Sequence, residues 1–277
     1  MPLFKLLSRL PLPVLHFLGG LFGRLVWFLS ATYRRNIKAN LTLALGADRA
    51  QKLQWRVAAE AGKGVFEMPY MWLRPKADVL TKVRQVEGWD LIDAARQRGE
   101  SIVFITPHLG CFEILPKSYS VRAPMTVLYK PPKQAWLRPI FDQGRSDESI
   151  HLAPANLTGV RRMLKALKTG EAVGMLPDQV PSAGEGVWLP WFGKPAYTMT
   201  LAGRLSDVPK ATVLYAWAQR LPRGAGYHLR VSQPSTPLNG TVEERTIAIN
   251  ADLETMIRNN PEQYQWGYNR YKGTPGA

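Results

Sequence analysis

The chain has 277 residues, 45% of them hydrophobic and 21% charged, a composition that excludes an intrinsically disordered protein. Thirty-six Lys and Arg residues against 21 Asp and Glu residues give a net charge of +15, which indicates a negatively charged partner. No zinc-finger spacing, RNP-like sequence or basic zipper occurs, so the charge favours a membrane surface or an acidic protein over nucleic acid. The one cysteine, Cys111, excludes an intramolecular disulfide and is typical of a reducing compartment.

Residues 1–33 form the most apolar part of the chain and predict a membrane anchor. The stretch Leu10–Gly23 carries no formal charge apart from a possible one on His16, and Arg24 interrupts the apolar pattern. Since a transmembrane helix needs about 20 apolar residues, the pattern predicts either a poor transmembrane helix or an interfacial helix whose Arg24 side chain reaches the headgroups. A signal peptide and a helix packed on the folded domain are the two alternatives.

Basic residues follow this anchor directly and predict its orientation. Arg34, Arg35 and Lys38 lie just after the apolar segment, and the first acidic residue of the chain is Asp48. By the positive-inside rule, the domain that follows is expected on the cytoplasmic face of the membrane. We expect residues 34–277 to form one domain, in which residues 34–98 are a helical cap.

Beyond residue 100 the chain alternates between segments typical of strands and of helices. Buried strands are predicted at residues 101–106, 125–129, 149–153, 172–177, 211–218 and 227–233. Helices are predicted at residues 111–119, 134–144, 159–170 and 196–206 and from Thr241 onwards, and residues 178–198 are predicted to be a long loop. This alternation predicts an α/β fold with a mixed, mainly parallel sheet and helices on both faces.

The helix predicted at residues 159–170 has the clearest amphipathic pattern in the chain. One face is apolar, with Val160, Met163, Leu164 and Leu167 at helical spacing. The other face is basic and carries Arg161, Arg162, Lys165 and Lys168. Such a stripe is either a docking surface for an acidic partner or simply a solvated helix face.

The stretch "TPHLGCFEILP" contains the residues most typical of catalysis. His108 and Glu113 are five positions apart and would not share a face of one continuous helix. Pro107 and Gly110 predict a turn, which places His108 at the carboxyl end of a buried strand and Glu113 in the first turn of the next helix. From there Glu113 can accept a hydrogen bond from the imidazole, while the other ring nitrogen takes a proton from a substrate hydroxyl.

Two other interpretations of this stretch remain open at the level of sequence. A single histidine just after a strand is often only a hydrogen-bonded structural residue, and His108 could be one. Cys111 and His108 form a possible nucleophile pair, although a small buried thiol is common at a helix start. A metal site is not expected, because His16, His151 and His228 lie in unrelated segments with no second ligand at metal-binding spacing.

Four stretches, in order along the chain, resemble the bacterial lipid A biosynthesis acyltransferases, the lauroyl/myristoyl late-acyltransferase family. "HLGCFE" resembles the His-x-x-x-x-Glu box, and "GRSDESI" resembles an Arg-containing segment that includes Arg145. "GMLPDQV" resembles a strand end carrying Asp178 and Gln179, and "PEQYQWGYNRYK" resembles the closing signature. The resemblance covers about residues 10–272. The box differs from its common form at Leu109, Cys111 and Phe112, which puts acyl-chain or acceptor preference in doubt.

The resemblance implies transfer of a fatty acyl group from an acyl carrier protein thioester to a hydroxyl of a lipid A precursor. His108 would be the general base, Glu113 would orient it, and Arg145 would stabilise the oxyanion or bind donor phosphate. Asp178 would hold Arg145 or an acceptor hydroxyl, and Gln179 would share in substrate binding.

The resemblance also implies the partners and the location. No permanently bound cofactor is expected, and the partners would be the acidic acyl carrier protein, an anionic glycolipid and the inner leaflet of the bacterial inner membrane. The alternatives are an acyltransferase for another glycolipid or a lysophospholipid, and a non-catalytic lipid-binding protein. Trp188, Trp191 and Phe192 would either reach lipid or pack over the sheet.

Overall fold

The computed structural model describes residues 2–132 and 138–273. The helices are α1 (Pro2–Arg9), α2 (Leu12–Leu29), α3 (Ala31–Leu45), α4 (Ala47–Leu73), α5 (Lys76–Leu80), α6 (Trp89–Gln97), α7 (Ile114–Tyr119), α8 (Arg138–Arg145), α9 (Leu157–Lys168), α10 (Leu201–Leu205) and α11 (Val242–Asn259). The strands are β1 (Val83–Glu87), β2 (Ser101–Ile105), β3 (Met125–Tyr129), β4 (Ile150–Pro154), β5 (Ala172–Met175), β6 (Gly186–Trp191), β7 (Lys194–Met199), β8 (Ala211–Arg220) and β9 (Tyr227–Ser232).

Seven strands form one sheet in the order β1-β9-β8-β2-β5-β3-β4. Only the β8–β9 pair is antiparallel in this sheet. Successive residues of β2 point to opposite faces: Val103 and Ile105 enter one apolar cluster with α3, α9 and α11, whereas Ile102 and Phe104 enter another with α2, α6 and α7. The predicted α/β fold, with a mainly parallel sheet and helices on both faces, is confirmed.

The predicted loop at residues 178–198 is wrong over most of its length. There β6 and β7 form an antiparallel hairpin in which Trp191 pairs with Lys194, and the predicted helix 196–206 begins only at Leu201. Pro190 and Pro195 lie opposite each other in this two-stranded ribbon, a position at a sheet edge where proline is tolerated. Pro139 is accommodated near the start of α8, and residues 134–137 of the helix predicted at 134–144 lie outside the described residues.

Residues 34–98 are helical in α3, α4, α5 and α6, but they also contain β1, an edge strand that the sequence analysis did not predict. Four of its five residues are exposed, so the strand lacks the alternating burial that would reveal it. It pairs in parallel with β9.

The apolar helix α2 is long and apolar enough to cross a membrane, with 18 residues and a mean hydropathy of 1.6. One third of it is buried, because it packs along α4. Pro13 falls in the first turn, where the missing N–H costs nothing. The segment predicted to be the amino-terminal anchor is therefore a helix with one face packed on the domain and one face exposed.

Glycines let α2 and α4 approach at backbone distance. A Cβ at Gly23 would lie 1.9 Å from the Ala58 carbonyl oxygen, and one at Gly62 would lie 2.0 Å from the Gly19 carbonyl oxygen. At Gly20 the same atom would lie 3.7 Å from the Lys63 side chain, an ordinary contact. The helices can therefore pack this closely only if Gly19, Gly23 and Gly62 stay without side chains.

We expect Gly23→Ala to destabilise the protein by about 1–3 kcal/mol, because the methyl group would force α2 away from α4. Gly20→Ala is the matched control on the same helix, and it should be neutral or stabilising by up to about 1 kcal/mol through helix propensity. Urea unfolding of both variants in a mild detergent measures the difference. Equal stabilities would contradict the observed packing of the two helices.

Candidate active site

His108 lies just beyond the carboxyl end of β2, in a bend that ends at Gly110. Gly110 has φ +62°, and a Cβ there would lie 2.0 Å from the Ala218 carbonyl oxygen. Only glycine satisfies both conditions. The predicted turn is therefore confirmed, and Glu113 lies immediately before α7 rather than inside its first turn.

Backbone hydrogen bonds fix this bend on two sides. Cys111 donates its N–H to the Ala218 carbonyl of β8 at 2.8 Å, and Gly110 donates to the Gln263 carbonyl at 3.1 Å. Gln265 in turn donates to the His108 carbonyl at 3.2 Å. The carboxyl-terminal signature, residues 261–272, thus forms one wall of the bend. For this reason it belongs to the same site as residues 106–116, although the two stretches are distant in sequence.

The imidazole of His108 is oriented by Asp178. Its Nδ1 lies 2.7 Å from Asp178 Oδ1, and its backbone N–H donates to Oδ2 at 2.9 Å. The two residues meet because β2 and β5 are adjacent parallel strands whose carboxyl ends share one sheet edge. Asp178 is buried, which raises the pKa of its carboxyl group, but the charge and the hydrogen bonds of His108 outweigh burial and lower the pKa.

Among the hydrogen bonds of the described residues, none joins Glu113 to His108. The Glu113 carboxylate forms an ion pair with Arg145, whose Nε lies 3.2 Å from Oε2, and it accepts a hydrogen bond from Trp72 Nε1 at 3.1 Å. The guanidinium also lies 5.3 Å from the Trp72 ring centre. The partners therefore differ from those predicted. Asp178, expected to hold Arg145 or an acceptor hydroxyl, binds His108. Glu113, expected to orient His108, holds Arg145.

A cavity of about 520 Å³ opens between these two pairs and is lined by His108, Glu113, Arg145 and Gln179. Its apolar wall comes from β3, β4 and neighbouring loops. Basic side chains reach it from three further places, Lys117, Lys130 and Lys272. The Lys117 amine is largely buried and donates to the Gly144 carbonyl at 3.1 Å. Burial lowers the pKa of this amine, although Asp147 and Glu113 oppose the shift.

Cys111 takes no part in this cavity. Its thiol is buried, and burial together with the negative charge of Glu67 raises its pKa well above the usual range. The thiolate that a Cys–His nucleophile requires is therefore disfavoured. Of the three aromatic residues predicted to reach lipid or pack over the sheet, Trp191 and Phe192 are buried against the core, whereas Trp188 is half-buried.

Trp72 and Tyr268 are among the site residues that the sequence analysis missed. Trp72 ends α4 some 40 positions before Glu113, and no local pattern connects them. Tyr268 accepts a hydrogen bond from the Val180 N–H at 3.0 Å and lines the cavity. It lies within "PEQYQWGYNRYK", so the family resemblance pointed to its segment but not to the side chain.

Known proteins of one family match this chain over nearly its whole length. The model of the bacterial lipid A biosynthesis acyltransferase family matches residues 2–273. The lipid A biosynthesis lauroyltransferase of Escherichia coli (strain K12) is 28% identical over 280 residues, covering 98% of this chain and 89% of that protein. The lipid A biosynthesis palmitoleoyltransferase of the same organism is 26% identical over 275 residues, covering 96% and 88%.

A third relative, the lipid A biosynthesis acyltransferase of Shigella flexneri, is likewise 26% identical over 275 residues. The match extends from the first helix to the carboxyl-terminal signature and so includes every residue around the cavity. The chain belongs to the family of bacterial lipid A biosynthesis acyltransferases.

Proposed function

We propose that the protein transfers a fatty acyl group from an acyl carrier protein thioester to a hydroxyl of a lipid A precursor, at the cytoplasmic face of the inner membrane. The observation that carries the proposal is the His108–Asp178 pair. With Nδ1 occupied by Asp178, Nε2 is the ring nitrogen available to a hydroxyl in the cavity. Membership of the family supports acyl transfer, and the pair supplies the general base that such a reaction needs.

In the proposed reaction the ionised Asp178 accepts a hydrogen bond from Nδ1–H and leaves Nε2 unprotonated. Nε2 removes the proton of the acceptor hydroxyl as its oxygen attacks the thioester carbon. The carbon–sulfur bond then breaks, and the imidazolium returns the proton to the departing thiolate sulfur. The products are an ester and a free thiol, so atoms and charges balance. Asp178 stabilises the imidazolium that forms between the two steps.

Arg145 would stabilise the oxyanion of this reaction or bind the phosphate of the donor. Its guanidinium is positioned by the Glu113 carboxylate and the Trp72 ring. Glu113 would then act as a positioning residue for Arg145. A cation that is already ordered by its neighbours loses little freedom when the transition state forms. Gln179, on the cavity wall, would bind substrate hydroxyls.

The apolar wall of the cavity fits a long acyl chain, and the basic side chains around the cavity fit an acidic carrier. The apolar wall is built by side chains of two parallel strands, Val127, Leu128, Ile150 and Leu152. The basic stripe of α9 lies directly behind this wall, since Arg162 Nη1 donates to the Leu152 carbonyl at 3.3 Å. An acidic carrier protein docked on that stripe would bring its thioester close to the cavity.

The proposal is tested by mass spectrometry of an acyl-transfer reaction. Detergent-purified protein is incubated with C10–C16 acyl carrier proteins and a Kdo-bearing tetra-acylated lipid A precursor. We expect a mass gain of one acyl group, and a fall in rate on the order of 10²–10⁴-fold in the His108→Ala variant. No gain with any donor would contradict the lipid A acceptor and direct attention to other glycolipids and lysophospholipids. Equal gain in both proteins would exclude His108 as the base.

A further inference from the structure

Helices α1 and α2 together expose an apolar surface that the folded domain leaves uncovered. Along α2 the exposed positions recur at helical spacing and so form one stripe. Their exposed fractions run from 36% to 71%, and the members are Leu3, Leu6, Val14, Phe17, Leu18, Leu21, Phe22, Leu25, Phe28 and Leu29. A continuous apolar surface on this scale marks a binding surface, because soluble proteins rarely leave one in water.

The opposite face of α2 is attached to the domain by polar as well as apolar contacts. His16 Nε2 lies 3.0 Å from Glu67 Oε2 of α4, and both side chains are almost fully buried. Glu67 also accepts hydrogen bonds from Arg220 of β8 and from the Tyr227 hydroxyl of β9. The helix therefore shares one buried network with strands β8 and β9 of the central sheet.

This attachment is incompatible with α2 crossing the bilayer. If α2 crossed while packed on α4, it would carry Glu60, Lys63 and Glu67 into the hydrocarbon, where charged groups are costly. If α2 left α4 in order to cross, the buried Glu67–Arg220 pair would lose His16 and a glycine-lined face would lose its partner. Only an orientation along the membrane surface keeps every buried contact and covers the apolar stripe.

We propose that α1 and α2 form a non-spanning anchor that lies in the plane of an anionic membrane surface, with the apolar stripe in the headgroup–acyl boundary. This proposal deepens the membrane attachment assigned under the proposed function. Charge complementarity supports an anionic surface, since Lys5, Arg9 and Arg35 are exposed around the stripe and no acidic residue precedes Asp48.

The same network joins the anchor to the active site. Arg220, which pairs with Glu67, also donates from Nη2 to the Gly110 carbonyl at 2.9 Å, in the bend that carries His108. At its far end α4 supplies Trp72, which donates to Glu113. The bend that carries His108 is thus linked through α4 and Arg220 to the helix that lies on the membrane.

The topology is tested with two single-cysteine variants, Lys5→Cys and Thr32→Cys, at exposed positions on either side of α2. Both are made with Cys111→Ala, which removes the native thiol. Vesicles with the cytoplasmic face outward and intact spheroplasts of a bacterial host are treated with a membrane-impermeant maleimide. We expect both cysteines to react in the vesicles and neither to react in the spheroplasts. Reaction of the two cysteines from opposite sides would overturn the proposal.

The apolar stripe is tested separately by flotation with sealed phosphatidylglycerol-containing vesicles. Phe17→Glu/Leu21→Glu should lower the bound fraction at least tenfold, whereas the control Val86→Glu/Ile247→Glu changes two apolar side chains that are also exposed but lie elsewhere, and should bind as the wild type does. Wild-type binding by the first variant would overturn the proposal. Neither test measures acyl transfer, so a wrong acceptor would leave both results unchanged.

Discussion

Asp178→Asn should lower kcat by a factor on the order of 10²–10⁴ while leaving the chain folded. Asparagine is nearly isosteric with aspartate, but it has one acceptor oxygen where aspartate has two. If that oxygen keeps the hydrogen bond from the His108 backbone N–H, the amide NH₂ faces Nδ1. The imidazole then takes the tautomer with its proton on Nε2, which can no longer accept a proton from the acceptor hydroxyl.

The matched control is Glu113→Gln, which breaks the ion pair with Arg145 but leaves the His108–Asp178 contact in place. The rates of the two variants separate the two carboxylates, because losing Asp178 removes the partner that orients His108, whereas losing Glu113 leaves His108 oriented and frees only Arg145. A full-rate Asp178→Asn enzyme beside an inactive Glu113→Gln enzyme would return the orienting role to Glu113.

Glu67→Gln should destabilise the protein by about 3–5 kcal/mol. The carboxylate of Glu67 is buried and paired with Arg220, His16 and Tyr227. Glutamine removes the nearest counter-charge of the buried guanidinium and leaves it the more distant Glu60, whose Oε2 lies 3.7 Å from Nη1. Urea unfolding at pH 7 measures the loss. The control Glu262→Gln breaks the exposed pair with Arg56 and should change stability by less than about 0.5 kcal/mol.

The same residue makes stability depend on pH in the acid range. Burial opposes ionisation of Glu67, but the charge of Arg220 and the hydrogen bonds from His16 and Arg220 outweigh it and lower the pKa to about 2. A glutamate in an unfolded chain has a pKa of about 4.3. The stabilisation is therefore complete above about pH 4.3 and is lost as the pH falls towards 2. An unfolding midpoint that fell equally in the wild type and in Glu67→Gln over this window would contradict the assignment.

Local sequence was informative wherever the pattern of one segment sufficed. The buried apolar run at 101–105 followed by Pro107 and Gly110 predicted β2, the bend and the position of His108 at a strand end. The basic and apolar faces of α9 were predicted in the same way, from residues a few positions apart. The β6–β7 hairpin was missed because each of its strands contains a proline, a residue that is usually unfavourable in a strand.

By itself, the sequence determined the fold class, the helix–strand alternation and the family, since each depends on periodicity or on short motifs. The pairing of His108 with Asp178 was decided only by tertiary structure, because it requires β5 to insert beside β2. The order of the strands depends on how the crossover connections pack over the whole sheet. The 70 residues between His108 and Asp178 therefore carry no local pattern that predicts the contact. The same holds for α2, whose apolar sequence predicts contact with lipid, while its glycines and His16 acquire their role only against α4.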